Sequence, residues 1–154
     1  MSELAIIIVN WNGGELLHRC LESIRKFPPA VSYEVVVVDN ASTDGTREWL
    51  ELQTVRLIKN QDNVGFGRAN NIAFRETKQP FLFLLNSDAE LQTGSIDKLL
   101  ETIKSDPGFG VVGPRLHNPD GTLQASVWRN PTTDRKSTRL NSSHIQKSRM
   151  PSSA

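Results

Sequence analysis

One local pattern occurs four times in succession in this 154-residue chain: a short apolar run, a polar break, then apolar residues at helical spacing. Leu4 to Val9 is continuous, rich in β-branched residues and closed by Asn10, as expected of a strand buried on both faces. After Gly13-Gly14, the residues Leu16, Leu17, Cys20, Leu21 and Ile24 form a helical stripe that ends at Pro28-Pro29. The alternation repeats with Val35–Val38 and a helix over about 44–52, then with Val55–Ile58 and a helix over about 66–77. A fourth unit pairs Phe81–Leu85 with Ile96, Leu99, Leu100 and Ile103. Strand–helix units in series predict an α/β fold, a mostly parallel sheet with alternating helices and right-handed crossovers.

Beyond these units, Val111-Val112 between two glycines reads as a fifth strand, and Asn118-Pro119-Asp120-Gly121 as the turn of a hairpin. The ordered body is expected to span residues 1–133. Residues 134–154 carry five Lys/Arg against one Asp and hold six Ser with no sustained apolar face, which predicts a disordered tail. The stretch from Lys136 to His144 is similar to translated vector sequence, so the tail is expected to be non-native and to replace a native C-terminal part.

Composition narrows the function classes. With 37% hydrophobic and 23% charged residues, the chain suits one modest globular domain. Its formal charge is +1, and residues 1–133 alone are mildly acidic, so the basic footprint of a nucleic-acid binder is missing. Cys20 is the single cysteine, which excludes an intramolecular disulfide, and no Cys/His spacing suits structural zinc. No apolar run approaches the roughly 20 residues that span a bilayer, and Glu3 without a basic leader argues against a signal peptide. A cytoplasmic location is expected.

In an open parallel sheet, ligands bind beyond the carboxyl ends of the strands. Here those ends run into Asn10-Trp11-Asn12, Asp39-Asn40-Ala41-Ser42, Asn60-Gln61-Asp62-Asn63 and Asn86-Ser87-Asp88, which should crowd one rim. Asp39 suits a ribose hydroxyl or a pyrimidine imide N–H, or equally a loop-capping role. The Gly65-Phe66-Gly67 entry to a helix lets backbone approach an anion, or serves tight packing. Asn70 stands where a dinucleotide fingerprint needs its third glycine, and the motif follows the third strand, which disfavours a nicotinamide cofactor. Asp88 is a candidate Mg²⁺ ligand, since one or two carboxylates plus substrate phosphates ordinarily hold that ion. Its alternative is helix capping, and Glu90 is left open. Trp11 is open between stacking and scaffold, whereas His18 and Trp49 read as helix-surface and packing residues. No nucleophile elbow or Walker-type loop is present.

Ile6 to Asn12, Val36 to Thr46, Asn63 to Phe66, Asn70-Asn71 and Leu84 to Asp88 together resemble glycosyltransferase family 2, most of all its bacterial rhamnosyltransferase-like branch. The resemblance covers residues 4–132, including Gly113-Pro114-Arg115 and the Pro-Asp-Gly hairpin. It implies a GT-A fold and metal-dependent, inverting transfer from a nucleotide-diphosphate sugar, such as a UDP- or dTDP-sugar, to a glycan or lipid-linked acceptor. By the same resemblance Asn10, Asn12, Asn40 and Asn86 line the donor pocket, Asp39 contacts the base, and Gly65 and Asn70 shape the site. Asp88, the last acid of a degenerate Asp-x-Asp with Asn86 at its first position, would hold Mg²⁺ or Mn²⁺. The general base belongs to an acceptor half that is expected to be missing. A non-catalytic nucleotide-diphosphate-binding fragment is the alternative function.

Overall fold

Strand β1 (Leu4–Asn10) lies between β2 (Tyr33–Asp39) and β4 (Phe81–Asn86), and β3 (Arg56–Lys59) pairs with the outer side of β2. All pairings in this β3-β2-β1-β4 sheet are parallel. The structure is a computed structural model that describes residues 2–125, so the expected tail lies outside the described residues. Internal contacts divide the described residues into two compact units, the first ending at Gly94 and the second beginning at Ser95.

The burial of each strand follows its place in the first unit. Every residue of the inner strand β1 is buried, whereas β3 and most of β4, at the two edges of this sheet, are half-buried. Ile7, Val9, Val36 and Val38 share one face and pack with Ala69 and Ala73 of α3 (Phe66–Glu76). Strand alternation turns Ile6, Ile8 and Val37 to the opposite face, where they too are buried. Burying each such side chain stabilises the fold by about 1.5–3 kcal/mol.

Helix α1 (Gly14–Lys26) buries Leu17, Cys20, Leu21 and Ile24, the i, i+3, i+4, i+7 stripe read from sequence, but leaves Leu16 exposed. Glu15 in its first turn and Arg25 and Lys26 in its last complement the helix dipole. Helix α2 is only Thr46–Leu50, shorter than the expected 44–52, and Gly45 at φ 84° occupies its N-cap. Asp44 sits one residue upstream of that cap and accepts a 3.1 Å hydrogen bond from the Thr46 N–H.

In the second unit, α4 (Ser95–Lys104) buries Ile96 and Leu100. The expected hairpin is present as β5 (Leu116–His117) and β6 (Leu123–Gln124), joined through a turn in which Gly121 takes φ 81°. Val111-Val112 is not a strand: among the described residues it has no pairing partner, and Val111 is exposed.

Candidate functional site

The parallel strands deliver their carboxyl ends to one edge. Asn10 is in register with Asp39, Asp39 with Lys59, and Val9 with Asn86. The ladder continues past the strands, with the Asn40 N–H donating to the Asn10 carbonyl at 2.8 Å and the Asn60 N–H to the Asp39 carbonyl at 2.9 Å.

Side chains then tie the loops together. The Ser42 hydroxyl accepts from Asn10 Nδ2 at 3.1 Å and from the Asn12 N–H at 2.9 Å, while Asn12 Oδ1 accepts from the Thr43 N–H at 2.8 Å. Thr46 Oγ1 accepts from the Gly14 N–H, which joins the starts of α1 and α2. His18 of α1 and Trp49 of α2 stack with ring centroids 3.6 Å apart, so both serve contact between the helices. Asn40 links β2 to the third loop: its Oδ1 accepts from Asn60 Nδ2 at 2.8 Å, and its Nδ2 donates to Asn63 Oδ1 at 3.0 Å. Asn63 Oδ1 also accepts from the Gly65 N–H. Among the described residues the two non-glycine positions with positive φ, Asn12 (51°) and Ala41 (66°), both lie at this rim, and such strain concentrates at functional sites.

Asp39, expected to meet the base, is wholly buried. Its Oδ2 accepts from Arg47 Nε at 2.8 Å and from the Ser42 N–H at 3.2 Å, and its Oδ1 from Asn10 Nδ2 at 3.3 Å. Burial alone would raise this carboxyl, but the bonds from Ser42, Arg47 and Asn10 outweigh it and hold the group below its ordinary 3.8. Arg47 Nη2 also donates to the Asn60 carbonyl at 2.8 Å, so one guanidinium spans the ends of β2 and β3. Asn70 is likewise turned inward: it is buried, and its Nδ2 donates to the Phe66 carbonyl one turn back. Asn10 and Asn40 are buried as well. The expected site residues that remain exposed are Asn12, Gly65, Asn86 and Asp88, and beside them stand Trp11, 58% exposed, and Phe66, 54% exposed.

Asn10 Oδ1 is buried without a hydrogen-bond partner among the described residues. It lies 2.0 Å from where a Cβ on Gly13 would be, which explains the glycine at that position by space alone. Gly65, at φ 82° and ψ 161° as the N-cap of α3, is required instead by its backbone.

Asp88 is a central residue of a turn closed by the Ala89 N–H and the Asn86 carbonyl at 3.1 Å. Its carboxylate is exposed and has no hydrogen bond or ion pair among the described residues. No group of three metal-ligating side chains occurs among them. A single open carboxylate fits Mg²⁺ or Mn²⁺ held jointly with substrate phosphates, and does not fit a cation caged by protein alone. Cys20 donates its S–H to the Asn86 carbonyl at 3.6 Å. Burial first, and then the charges of Asp88 and Glu90, push its thiol up to about 12, so it stays protonated and able to donate.

Sequence reasoning brought Ser42, Asn60 and Asn63 to the rim without giving them a role, and it missed Arg47.

Comparison with known proteins places this geometry in a family. A sequence model of glycosyl transferase family 2 matches residues 5–151, and the chain belongs to that family. It is 28% identical over 142 residues to the N-acetylglucosaminyl-diphospho-decaprenol L-rhamnosyltransferase of Mycobacterium tuberculosis, covering 84% of this chain and 46% of that protein. The mannosyltransferase PcManGT from Pyrobaculum calidifontis, solved with GDP-Man and Mn²⁺, shares the fold with a TM-score of 0.65 and 24% identity, over 77% of this chain and 36% of that one. S. aureus TarS 1–349 in complex with UDP-GlcNAc superposes with a TM-score of 0.60 and 21% identity, over 75% and 40% of the two chains. The fold is therefore that of the GT-A glycosyltransferases, as the family resemblance implied. The chain spans less than half the length of these curated relatives. No described helix is long and apolar enough to cross a membrane.

Proposed function

We propose that this chain forms the donor-binding portion of an inverting glycosyltransferase that uses a nucleotide-diphosphate sugar, a UDP- or dTDP-sugar, and serves cell-envelope glycan or glycolipid synthesis. The observation that carries the reading is the rim itself: three loops cross-tied by Asn10, Asn12, Asp39, Asn40, Ser42 and Arg47, beside an exposed Asp88. Family membership and the nucleotide sugars bound by the fold's solved neighbours support it.

In this reading the exposed Asn12, Gly65 and Asn86 line the donor pocket. Asp39, Asn10, Asn40 and Asn70 hold its shape from beneath, with Asp39 acting on the nucleotide through the Ser42 and Arg47 it fixes rather than by direct contact. Asp88 and the donor's diphosphate would hold Mg²⁺ or Mn²⁺ between them. The bound cation would neutralise charge growing on the departing diphosphate as a Lewis acid. The acceptor hydroxyl attacks the anomeric carbon opposite the leaving group, a C–O bond forms as the bond to the diphosphate breaks, and the hydroxyl proton passes to a carboxylate outside the described residues. We place the reaction in the cytoplasm, at the inner face of the membrane, where a lipid-linked acceptor presents its hydroxyl.

The test is binding of nucleoside diphosphates with and without Mn²⁺ to the wild type and to Asp88→Ala. An exposed acid outside the core can be removed with the fold intact. The metal-dependent part of the affinity should vanish in the variant and the metal-free part should remain. Equal metal dependence in both proteins would remove Asp88 from the site.

A further inference from the structure

The turn that carries Asp88 is anchored at both ends by one helix. At its start, Cys20 Sγ donates to the Asn86 carbonyl at 3.6 Å. Beyond its far end, the Leu91 N–H donates to Ser23 Oγ at 2.9 Å, in a buried environment, and the Leu91 side chain is itself buried. Ser23 Oγ in turn donates to the Cys20 carbonyl at 2.7 Å. The hydroxyl therefore has its proton committed within α1 and a lone pair committed to the loop.

Nothing in α1 needs this hydroxyl. Serine in a helix interior is a weaker helix former than alanine, and its back-bond to the preceding turn competes with the helix ladder. At a buried position alanine would serve the helix better. What alanine cannot do is satisfy the buried Leu91 N–H, which would otherwise be left without a partner. A further tie in this region, Arg19 to Glu90 at 3.7 Å, joins two side chains that are both more than half exposed, and such pairs restrain little. The buried Ser23 and Cys20 contacts restrain the connection more.

We propose that Ser23 is a positioning residue for the cation-binding carboxylate: by holding the Leu91 N–H it fixes the five-residue connection from Asn86, so that Asp88 meets the donor diphosphate preorganised. This rests on the donor-site reading above and adds to it a residue far from the rim motifs in sequence. Partners that orient a metal ligand typically change metal affinity about 10–100-fold when removed.

The experiment compares wild type, Ser23→Ala and Ser23→Thr in the full chain, with two readouts. Calorimetry measures UDP, dTDP and GDP affinity with and without Mn²⁺, and amide hydrogen exchange follows residues 86–91 without ligand. Ser23→Ala should lose about tenfold of the Mn²⁺-dependent affinity and keep its metal-free affinity within about twofold. Its Leu91 amide should exchange about tenfold faster while the β1 amides are unchanged. Ser23→Thr keeps the hydroxyl and should restore both. Wild-type behaviour of Ser23→Ala in Mn²⁺-dependent binding overturns the proposal, as does an equal loss in Ser23→Thr, which would assign the effect to packing. A wild-type chain whose nucleotide binding ignores Mn²⁺ overturns the donor-site reading and the positioning role with it. Failure of the positioning role alone is recognised by a wild type that responds to Mn²⁺ and an alanine variant that responds equally.

Discussion

Arg47 and Gly13 show how single residues set the rim. Arg47 gives the buried Asp39 carboxylate a cationic partner, and removing it leaves a charged acceptor short of donors, a loss of about 2 kcal/mol. Because the native pKa of Asp39 lies below its unfolded value, the stability this carboxylate contributes is present above about pH 4 and fades as pH falls through the native value. The deficit of Arg47→Ala should accordingly be largest at neutral pH and shrink below about pH 4, as read by urea unfolding across that range. Gly13→Ala should cost about 1–3 kcal/mol because its Cβ meets Asn10 Oδ1. In an Asn10→Ala background most of that cost should disappear, a coupling that a double-mutant cycle measures directly. Sequence made these residues visible only in part. The identity of each rim residue follows from where an apolar run stops, but whether it faces out or in does not. Asp39 and Asn70 turn inward because their partners, Arg47 and the Phe66 carbonyl, offer hydrogen bonds that burial would otherwise deny them.

The strands were legible because inner strands of a parallel sheet are apolar throughout, and β1 with every residue buried is the extreme case. Helix α1 was legible from its stripe. Helix α2 was legible in place but not in extent, since only Thr46 and Leu50 are buried in it and a five-residue helix has too little periodicity to fix its ends. Val111-Val112 has the composition of a strand without a neighbour to pair with, and pairing is what makes a strand. In α3, the residues against the sheet are Ala69 and Ala73, whose small side chains let helix and sheet approach closely. Ala73→Leu should therefore destabilise by about 1–3 kcal/mol, whereas Phe74→Ala, at an exposed neighbouring position, should stay within about 0.5 kcal/mol by thermal or chemical unfolding. The reverse ranking would mean that α3 packs through its aromatic residues.

Across the first unit, the account joins three levels. A repeated apolar-run pattern forces parallel pairing, parallel pairing gathers four polar loop starts at one edge, and contacts between residues 13 to 32 positions apart turn three of those loops into one surface. Such through-space ties leave no local trace in sequence, which is why the fold was more legible than the wiring of the site. Family membership was legible because the rim motifs occur in order, although the chain spans less than half the length of the curated relatives compared with it. The central claim is that this surface binds a nucleoside diphosphate with help from a divalent cation. The most direct measurement is calorimetric titration of the purified chain with UDP, dTDP, GDP and NAD, each with and without Mn²⁺. The account predicts Mn²⁺-enhanced binding of UDP or dTDP and silence from NAD. NAD binding, or a folded chain that binds no diphosphate under any condition, would contradict it.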